Sequence, residues 1–139
     1  MTNGTVGDFE KENREMRQAS TAFMRSIKEI VDINPSMPAA QIYVLATVAL
    51  NEGKSLVELS KLTGLRHATM SRYLLDLSDK LRTGEEGYKL VNRDMDPEEY
   101  RRNMYTLAPK GRYLFRKISD YFVTANQTKE PNIVNLPRS

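Results

Sequence analysis

Few side chains in this sequence could carry catalytic or metal chemistry. His67 is the only histidine and cysteine is absent, so thiol nucleophiles, disulfides and zinc–thiolate sites are excluded. The acidic run Asp94, Asp96, Glu98 and Glu99 loosely resembles a calcium loop, but it lacks that loop's spacing and central glycine. No Gly-rich phosphate loop or nucleophile–base pair is visible. The sequence therefore predicts no enzyme, no metal site and no cofactor.

A second group of side chains suits contact with the edges of nucleic-acid bases. If residues 67–81 form a helix, Ala68, Ser71 and Arg72 lie on one face, with Thr69 at its flank. Small residues allow close approach to DNA, hydroxyls form hydrogen bonds, and arginine can bind guanine through two of them. This face is predicted to enter a major groove, with His67 near its start. Leu75 shares the face and is its one apolar member.

Arg66 departs from a local preference at the start of the same helix. It occupies the predicted N-cap, where an oxygen-bearing side chain is favoured by about 1 kcal/mol. A cation there also opposes the helix dipole. Because such departures tend to mark function, we expect Arg66 to bind a phosphate group.

Two helices joined by a glycine turn are predicted to position these side chains. Ser55-x-x-Glu58 is a capping box that opens a helix over Leu56–Leu62, and Gly64 supplies the turn. Five apolar residues are expected to lock the helix pair: Leu59, Leu62, Leu65, Met70 and Leu74. The alternative interpretation is a packed helical hairpin with no role in DNA binding.

The remaining periodicities predict a mainly α chain with a small β-hairpin, in the order α-α-α-α-β-β-α. Helices are expected over Phe9–Ile33, Pro38–Asn51 and Arg112–Asn126, the second of them central in the core. Strands are expected over Tyr88–Arg93 and Arg102–Leu107, and a turn at Pro109-Lys110-Gly111. This order is that of a winged helix-turn-helix.

In residues 37–118 the chain resembles the MarR (multiple antibiotic resistance regulator) family of winged-helix repressors. The matching segments are MPAAQIYVLATVA, the helix-turn-helix ending in Thr69-Met70-Ser71-Arg72, and the wing DPEEYRRNMYTLAPKG. Glu99 stands where the family usually has aspartate, Ala108 where it has threonine, and residues 82–87 (RTGEEG) are extra. The resemblance implies a homodimeric repressor of transcription. It also implies a small phenolic or other effector, bound between the dimer helices and the DNA lobe, that releases the operator. Nothing in the sequence identifies such an effector.

The wing carries two further candidate DNA contacts, Arg101 and Arg102. They are expected either to contact phosphates or the minor groove, or to lie in a solvated loop paired with Glu98 and Glu99.

The distribution of charge favours a polyanionic partner for the middle of the chain. Residues 54–118 carry fourteen basic and nine acidic side chains, whereas residues 1–53 carry five basic and seven acidic ones. The polar start does not resemble a signal peptide, and no apolar run is long enough to span a bilayer. We therefore expect a cytoplasmic protein with no membrane partner.

The first and last helices offer more apolar surface than a small DNA-binding lobe can cover. The predicted contacts between two copies are Met16, Phe23, Ile27, Ile30, Leu114, Ile118, Tyr121 and Phe122. For the leader helix the alternative is a face of an intramolecular core. The predicted organisation is a disordered leader 1–8, a dimerisation helix 9–33, a DNA-binding lobe 37–111, a second dimerisation helix 112–126 and an irregular tail 127–139.

Two functions of different classes follow. The first is a sequence-specific regulator that binds double-stranded DNA as a homodimer on a palindromic site. The second is a winged-helix module that binds proteins in a phage, plasmid or replication complex. Leu75, apolar on the predicted DNA face, favours the second function.

Overall fold

Five helices and three short strands make up residues 6–127, the part of the chain that the computed structural model describes. The helices are α1 (Val6–Ile33), α2 (Ala39–Leu50), α3 (Leu56–Thr63), α4 (His67–Leu77) and α5 (Pro109–Gln127). The strands are β1 (Lys54–Ser55), β2 (Val91–Met95) and β3 (Asn103–Leu107). The predicted fold class is confirmed, with one strand added between α2 and α3.

The three strands form an antiparallel sheet in the order β1-β3-β2. Lys54 of β1 lies opposite Tyr105 of the central strand, and Val91 of β2 lies opposite Leu107. With two residues, β1 is too short to show the apolar alternation by which a strand is recognised in a sequence. Its pairing to β3 joins the wing to the start of α3.

The described residues divide into two compact units. One, the winged lobe, consists of residues 33–114. The other, the helix pair, consists of α1 up to Asp32 and α5 from Phe115. The core of the winged lobe is formed by Val44, Leu45, Val48, Leu59, Met70, Leu74, Leu77, Leu90, Tyr105 and Leu107. The central position predicted for α2 is thereby confirmed.

Two helix ends differ from their predicted positions. Helix α1 begins at Val6, so residues 6–8, expected to be disordered, form its first turn. The rest of the predicted leader (1–5) and nearly all of the predicted tail (128–139) lie outside the described residues. Helix α4 ends at Leu77 instead of Leu81, because the backbone of Ser78 (φ −109°, ψ −82°) leaves the helical region. The Ser78 hydroxyl donates to the Leu74 carbonyl at 2.7 Å and stabilises this end.

The segment Pro109-Lys110-Gly111 is the first turn of α5, so the predicted separate turn is wrong. Proline suits the first position of a helix, where its missing N–H is no loss. Gly111 is buried, and a Cβ at this position would lie 2.2 Å from the Leu90 carbonyl oxygen. The start of α5 therefore packs directly on the backbone that leads into β2.

Strand β2 also begins later than predicted, at Val91 instead of Tyr88. Lys89 has a φ of 58°, which interrupts the extended conformation. Tyr88 instead makes two hydrogen bonds to distant parts of the winged lobe. Its N–H donates to the Asp76 carbonyl at 2.9 Å, and its hydroxyl accepts from Asn34 Nδ2 at 2.6 Å. The backbone between α4 and β2 is thus fixed by non-local contacts.

Within residues 6–127, none of the helices combines the length and the apolar character needed to cross a bilayer.

Candidate nucleic-acid interface

Helix α3 and the turn after it form as the sequence predicts. The Glu58 N–H donates to Ser55 Oγ at 3.2 Å, and the Ser55 N–H donates to Glu58 Oε1 at 2.9 Å, which completes the capping box. The second bond holds the pKa of the Glu58 carboxyl below its usual range. Gly64 adopts the left-handed conformation (φ 77°, ψ 7°) that ends the helix. Leu59 is fully buried, but Leu62 is 51% exposed, so the prediction that Leu62 faces inward is wrong.

Helix α4 has one buried and one open face, as its periodicity predicts. Met70, Leu74 and Leu77 are buried in the winged lobe. The candidate base-reading residues lie elsewhere on its surface: His67, Ala68 and Ser71 are exposed, and Thr69 and Arg72 are half-buried. Leu75 is 37% exposed on the same side of the helix.

A buried amide that sequence reasoning did not single out helps to hold α4. Gln41 of α2 is 2% exposed, and its Nε2 donates to the Tyr73 carbonyl and to Asp76 Oδ2, both at 3.3 Å. The available signal was the single amide side chain in the mainly apolar helix Ala39–Leu50. Because buried polar groups are costly unless paired, these bonds favour one rotation of α4 against α2.

Arg66 occupies the N-cap of α4, as predicted. Its backbone is extended (φ −67°, ψ 151°), its carbonyl accepts the Met70 N–H at 2.9 Å, and its side chain makes no capping bond. The guanidinium is exposed. The amides of the first turn of α4 therefore lack a side-chain acceptor, and a cation stands beside them.

We expect Arg66→Ser to raise the free energy of unfolding by about 1 kcal/mol, because serine can cap α4. The same variant should bind duplex DNA more weakly, because it lacks the guanidinium that we expect to bind a phosphate. Urea unfolding and fluorescence anisotropy measure the two effects. Arg116→Ser, which removes an exposed cation from α5, is the control for net charge. If stability and affinity both fall, the assignment is wrong.

The wing tip between β2 and β3 is closed by its own hydrogen bonds. The Asp96 N–H donates to the Arg102 carbonyl at 2.8 Å, and the Arg102 N–H donates to the Glu99 carbonyl at 2.9 Å. Asp96 is 7% exposed, and its side chain accepts the Glu98 N–H at 2.9 Å. Asp96 therefore shapes the turn and is not a free surface charge.

The two wing arginines have different surroundings. Arg102 Nε lies 3.0 Å from Asp96 Oδ2, and its Nη2 lies 4.0 Å from Glu58 Oε1. Its acidic partners are thus Asp96 and Glu58 instead of the expected Glu98 and Glu99. The pair with Asp96 lies within the wing, and the one with Glu58 reaches α3. Arg101 is exposed, and its guanidinium lies 5.9 Å from the ring centroid of Tyr100. Of the two, Arg101 is the one that remains open to an incoming phosphate.

The extra residues 82–87 form a closed turn at the end of α4. The Leu81 N–H donates to the Glu85 carbonyl at 2.7 Å, and the Gly87 N–H returns to the Asp79 carbonyl at 2.9 Å. Beyond the turn, Arg93 of β2 pairs with Asp79 at 2.5 Å. The Arg93–Asp79 ion pair therefore links β2 directly to the residues that follow α4. The turn formed by residues 82–87 leaves this link intact.

The predicted dimer contacts fall into three groups by exposure. Met16 (58%), Phe23 (61%) and Phe122 (40%) are exposed, and Ile27, Ile118 and Tyr121 are half-buried. Ile30 and Leu114 are buried within the single chain, at 4% and 5%. We therefore assign Ile30 and Leu114 to the core and keep the other six as candidate contacts.

Neither a protein-family model nor a curated protein sequence matches the chain. Solved structures do match it. The transcriptional regulator Tm0710 from Thermotoga maritima superposes with a TM-score of 0.62 at 20% identity, over 91% of this chain and 81% of that one. The S. aureus MepR–DNA complex gives 0.61 at 20% identity, over 82% and 86%. MarR itself gives 0.52 at 18% identity, over 81% and 73%.

This chain has the MarR-type winged-helix fold. The similarity to MarR that residues 37–118 suggest is thus confirmed at the level of the fold. In the winged-helix arrangement α4 is the element that corresponds to a recognition helix, and β2 and β3 form the wing.

Proposed function

We propose that this protein is a sequence-specific regulator of transcription, a repressor, that binds double-stranded DNA with α4 in the major groove. The observation that carries the proposal is the open face of α4. Small and hydroxyl-bearing side chains lie there with Arg72, while the opposite face is buried in the core. An exposed arginine stands at each side, Arg66 at the helix start and Arg101 at the wing tip. The S. aureus MepR–DNA complex is a DNA-bound example of the same fold.

We assign separate roles to these cations. Arg72 projects from the open face of α4 and is assigned to a base edge, because a guanidinium can donate two parallel bonds to guanine. Arg66 and Arg101 flank that face and are assigned to phosphates, which fix the register of the protein without reading sequence. Arg102 is assigned to holding the wing, since its guanidinium is engaged by Asp96.

Arg72→Ala tests the proposal most directly. A preferred duplex is first selected from a random pool with the wild-type protein. We expect the variant to lose about 10- to 100-fold in affinity for that duplex and to bind random duplex almost as well as wild type. Fluorescence anisotropy on both duplexes gives the two dissociation constants.

Arg101→Ala is the matched control. As a phosphate contact, it should lower both affinities by the same factor and reduce the slope of log K against log salt by about one unit. Equal losses on the two duplexes for Arg72→Ala would instead make Arg72 a phosphate contact. Failure of the wild-type protein to bind any duplex at low salt would contradict the proposed function.

We also propose that the protein acts as a homodimer. Phe9, Met16 and Phe23 follow one another at intervals of seven along α1, all more than half exposed. This stripe lies beside the buried stripe Ala22, Ser26 and Ile30 of the same helix. If the helix pairs of two copies packed together about a twofold axis, they would cover this exposed stripe. The dimer would then offer two α4 helices to one DNA duplex. The operator would then be palindromic, with half-sites about 10 bp apart.

A protein-binding winged helix remains the second candidate, and exposed apolar side chains favour it. Leu62 and Leu75, from the two helices of the helix-turn-helix, are 51% and 37% exposed. Binding to random duplex distinguishes the two functions, because phosphate contacts release counterions and so weaken steeply with salt. A protein-binding module would show no such binding.

A further inference from the structure

Leu75 lies on the open face of α4, although a leucine side chain forms no hydrogen bonds. It is 37% exposed and follows Ser71 and Arg72 by about one helical turn. Relative to Arg72 it lies about 4.5 Å further along the helix axis and about 60° around it. A surface that receives the side chain of Arg72 therefore also meets Leu75.

The orientation of Leu75 is set by its buried neighbours. Leu74 is 1% exposed and Leu77 is fully buried, so both hold the opposite side of α4 in the core of the winged lobe. The Ser78 hydroxyl, which donates to the Leu74 carbonyl at 2.7 Å, fixes the end of the helix just beyond them. Because the buried face holds α4 in one rotation, the side chain of Leu75 stays on the open side.

The charge around Leu75 does not oppose the approach of DNA. Asp79 is the exposed carboxylate nearest to it in the sequence, and Arg93 pairs with Asp79 at 2.5 Å. The other nearby carboxylate, Asp76, is half-buried and accepts a hydrogen bond from Gln41 at 3.3 Å. Arg72 lies on the near side of Leu75 and the exposed Lys80 follows it, so phosphates on both sides of a groove can approach a cation.

A leucine can distinguish base pairs in one way. The base edges in the major groove present hydrogen-bond donors and acceptors, and their one apolar group is the C5-methyl of thymine. A donor or acceptor placed against leucine would lose its bound water without gaining a partner, which is unfavourable. A thymine methyl in the same place would instead bury apolar surface against the side chain. An exposed leucine on a groove surface therefore favours a base pair that contains thymine.

We propose that Leu75 is a specificity-determining residue that contacts the C5-methyl group of a thymine in the major groove. This inference rests on the proposed function. Because base pairs are stacked about 3.4 Å apart, the thymine should lie within about two base pairs of the base that Arg72 reads. A single leucine between polar neighbours matches the size of a methyl group, whereas a docked protein would require a broader apolar patch.

Replacement of thymine by uracil tests the contact, because uracil differs from thymine only by the missing methyl group. Each thymine of the duplex selected with the wild-type protein is replaced in turn, and fluorescence anisotropy gives the dissociation constants. We expect at least one replacement to weaken binding about fourfold, the effect of one buried methyl group. The base read by Arg72 is located independently, as the position at which Arg72→Ala no longer discriminates among the four base pairs.

Leu75→Ala should bind the thymine and uracil duplexes with equal affinity, because alanine is too short to reach the methyl group. The comparison of two proteins on two duplexes isolates the energy of this one contact. Leu62→Ala is the matched control. It makes the same change at a more exposed leucine (51%) on α3, away from the open face of α4, and should keep the fourfold difference.

Three results would overturn the proposal and leave the proposed function intact. Either no uracil replacement weakens wild-type binding, or Leu75→Ala keeps the wild-type difference, or the sensitive thymine lies more than about two base pairs from the base read by Arg72. In each case the wild-type protein still binds its selected duplex. Failure to bind any duplex would contradict the proposed function as well, and Leu75 would then belong to the surface of a protein-binding module.

Discussion

Phe23→Asp is expected to convert a dimer into a monomer and to lower affinity for a palindromic duplex by about 100-fold or more. The Phe23 side chain is 61% exposed in the single chain, in line with Met16 and Phe9 on α1. A carboxylate at the centre of an apolar interface would be buried without a partner, which is strongly unfavourable. A monomer also contacts only one half-site, so it loses the added affinity that a dimer gains by binding both half-sites at once.

Light scattering at micromolar concentration measures the mass, and anisotropy measures binding to the full palindrome and to one half-site. Tyr43→Asp is the matched control, because Tyr43 is an exposed aromatic residue (51%) on α2 and outside the α1 stripe. It should leave the mass unchanged. On a single half-site, Phe23→Asp should equal the wild-type protein, since no candidate DNA contact is altered. A wild-type monomer that binds the palindrome with full affinity would contradict the dimer.

The parts of the fold that local chemistry determines could be predicted from the sequence. The capping box at Ser55 and Glu58, the left-handed Gly64 and the N-cap position of Arg66 all depend on residues within one helical turn. The buried face of α4 follows from helical periodicity in the same way. Together these local features are sufficient to assign most of the candidate base-reading residues to the open side of α4.

Several of the predictions that failed concern contacts between residues far apart in the sequence. Strand β1 exists because it pairs with β3, and the pairing of Arg102 with Glu58 requires the wing to reach α3. Leu62 fits an apolar pattern, yet no element of the winged lobe covers it. Periodicity states which side of a helix is apolar but not how far its neighbours extend, so exposure at the edge of a buried face is not predictable from it.

The dimer candidates show the same limit within one helix. Met16, Phe23 and Ile30 repeat every seven residues, but Ile30 is 4% exposed while the other two are more than half exposed. A spacing of seven falls short of two full helical turns by about 20°, so the repeat drifts around the helix. Over two repeats the drift carries Ile30 into the buried stripe with Ala22 and Ser26.

Gly111→Ala is expected to lower the free energy of unfolding by about 2–3 kcal/mol, although alanine is the better helix former. Helix propensity alone would favour alanine by about 1 kcal/mol. The added Cβ would lie 2.2 Å from the Leu90 carbonyl oxygen and 3.2 Å from Leu107 Cδ2. The Leu90 carbonyl cannot easily move, because it accepts the Ala108 N–H at 2.9 Å immediately before α5. The backbone clash therefore outweighs the propensity.

Gly64→Ala is the matched comparison for Gly111→Ala. Glycine is required at Gly64 for its backbone conformation and at Gly111 for the lack of space. At Gly64 a Cβ would meet nothing within 4 Å, and the cost comes only from its φ of 77°, about 1 kcal/mol. Urea unfolding should thus rank Gly111→Ala as the more destabilising variant. The reverse order would mean that α5 can move away from Leu90 at little cost. In that case the junction between the wing and α5 would not be held by close backbone packing, and the position of the wing beside α4 would need another explanation.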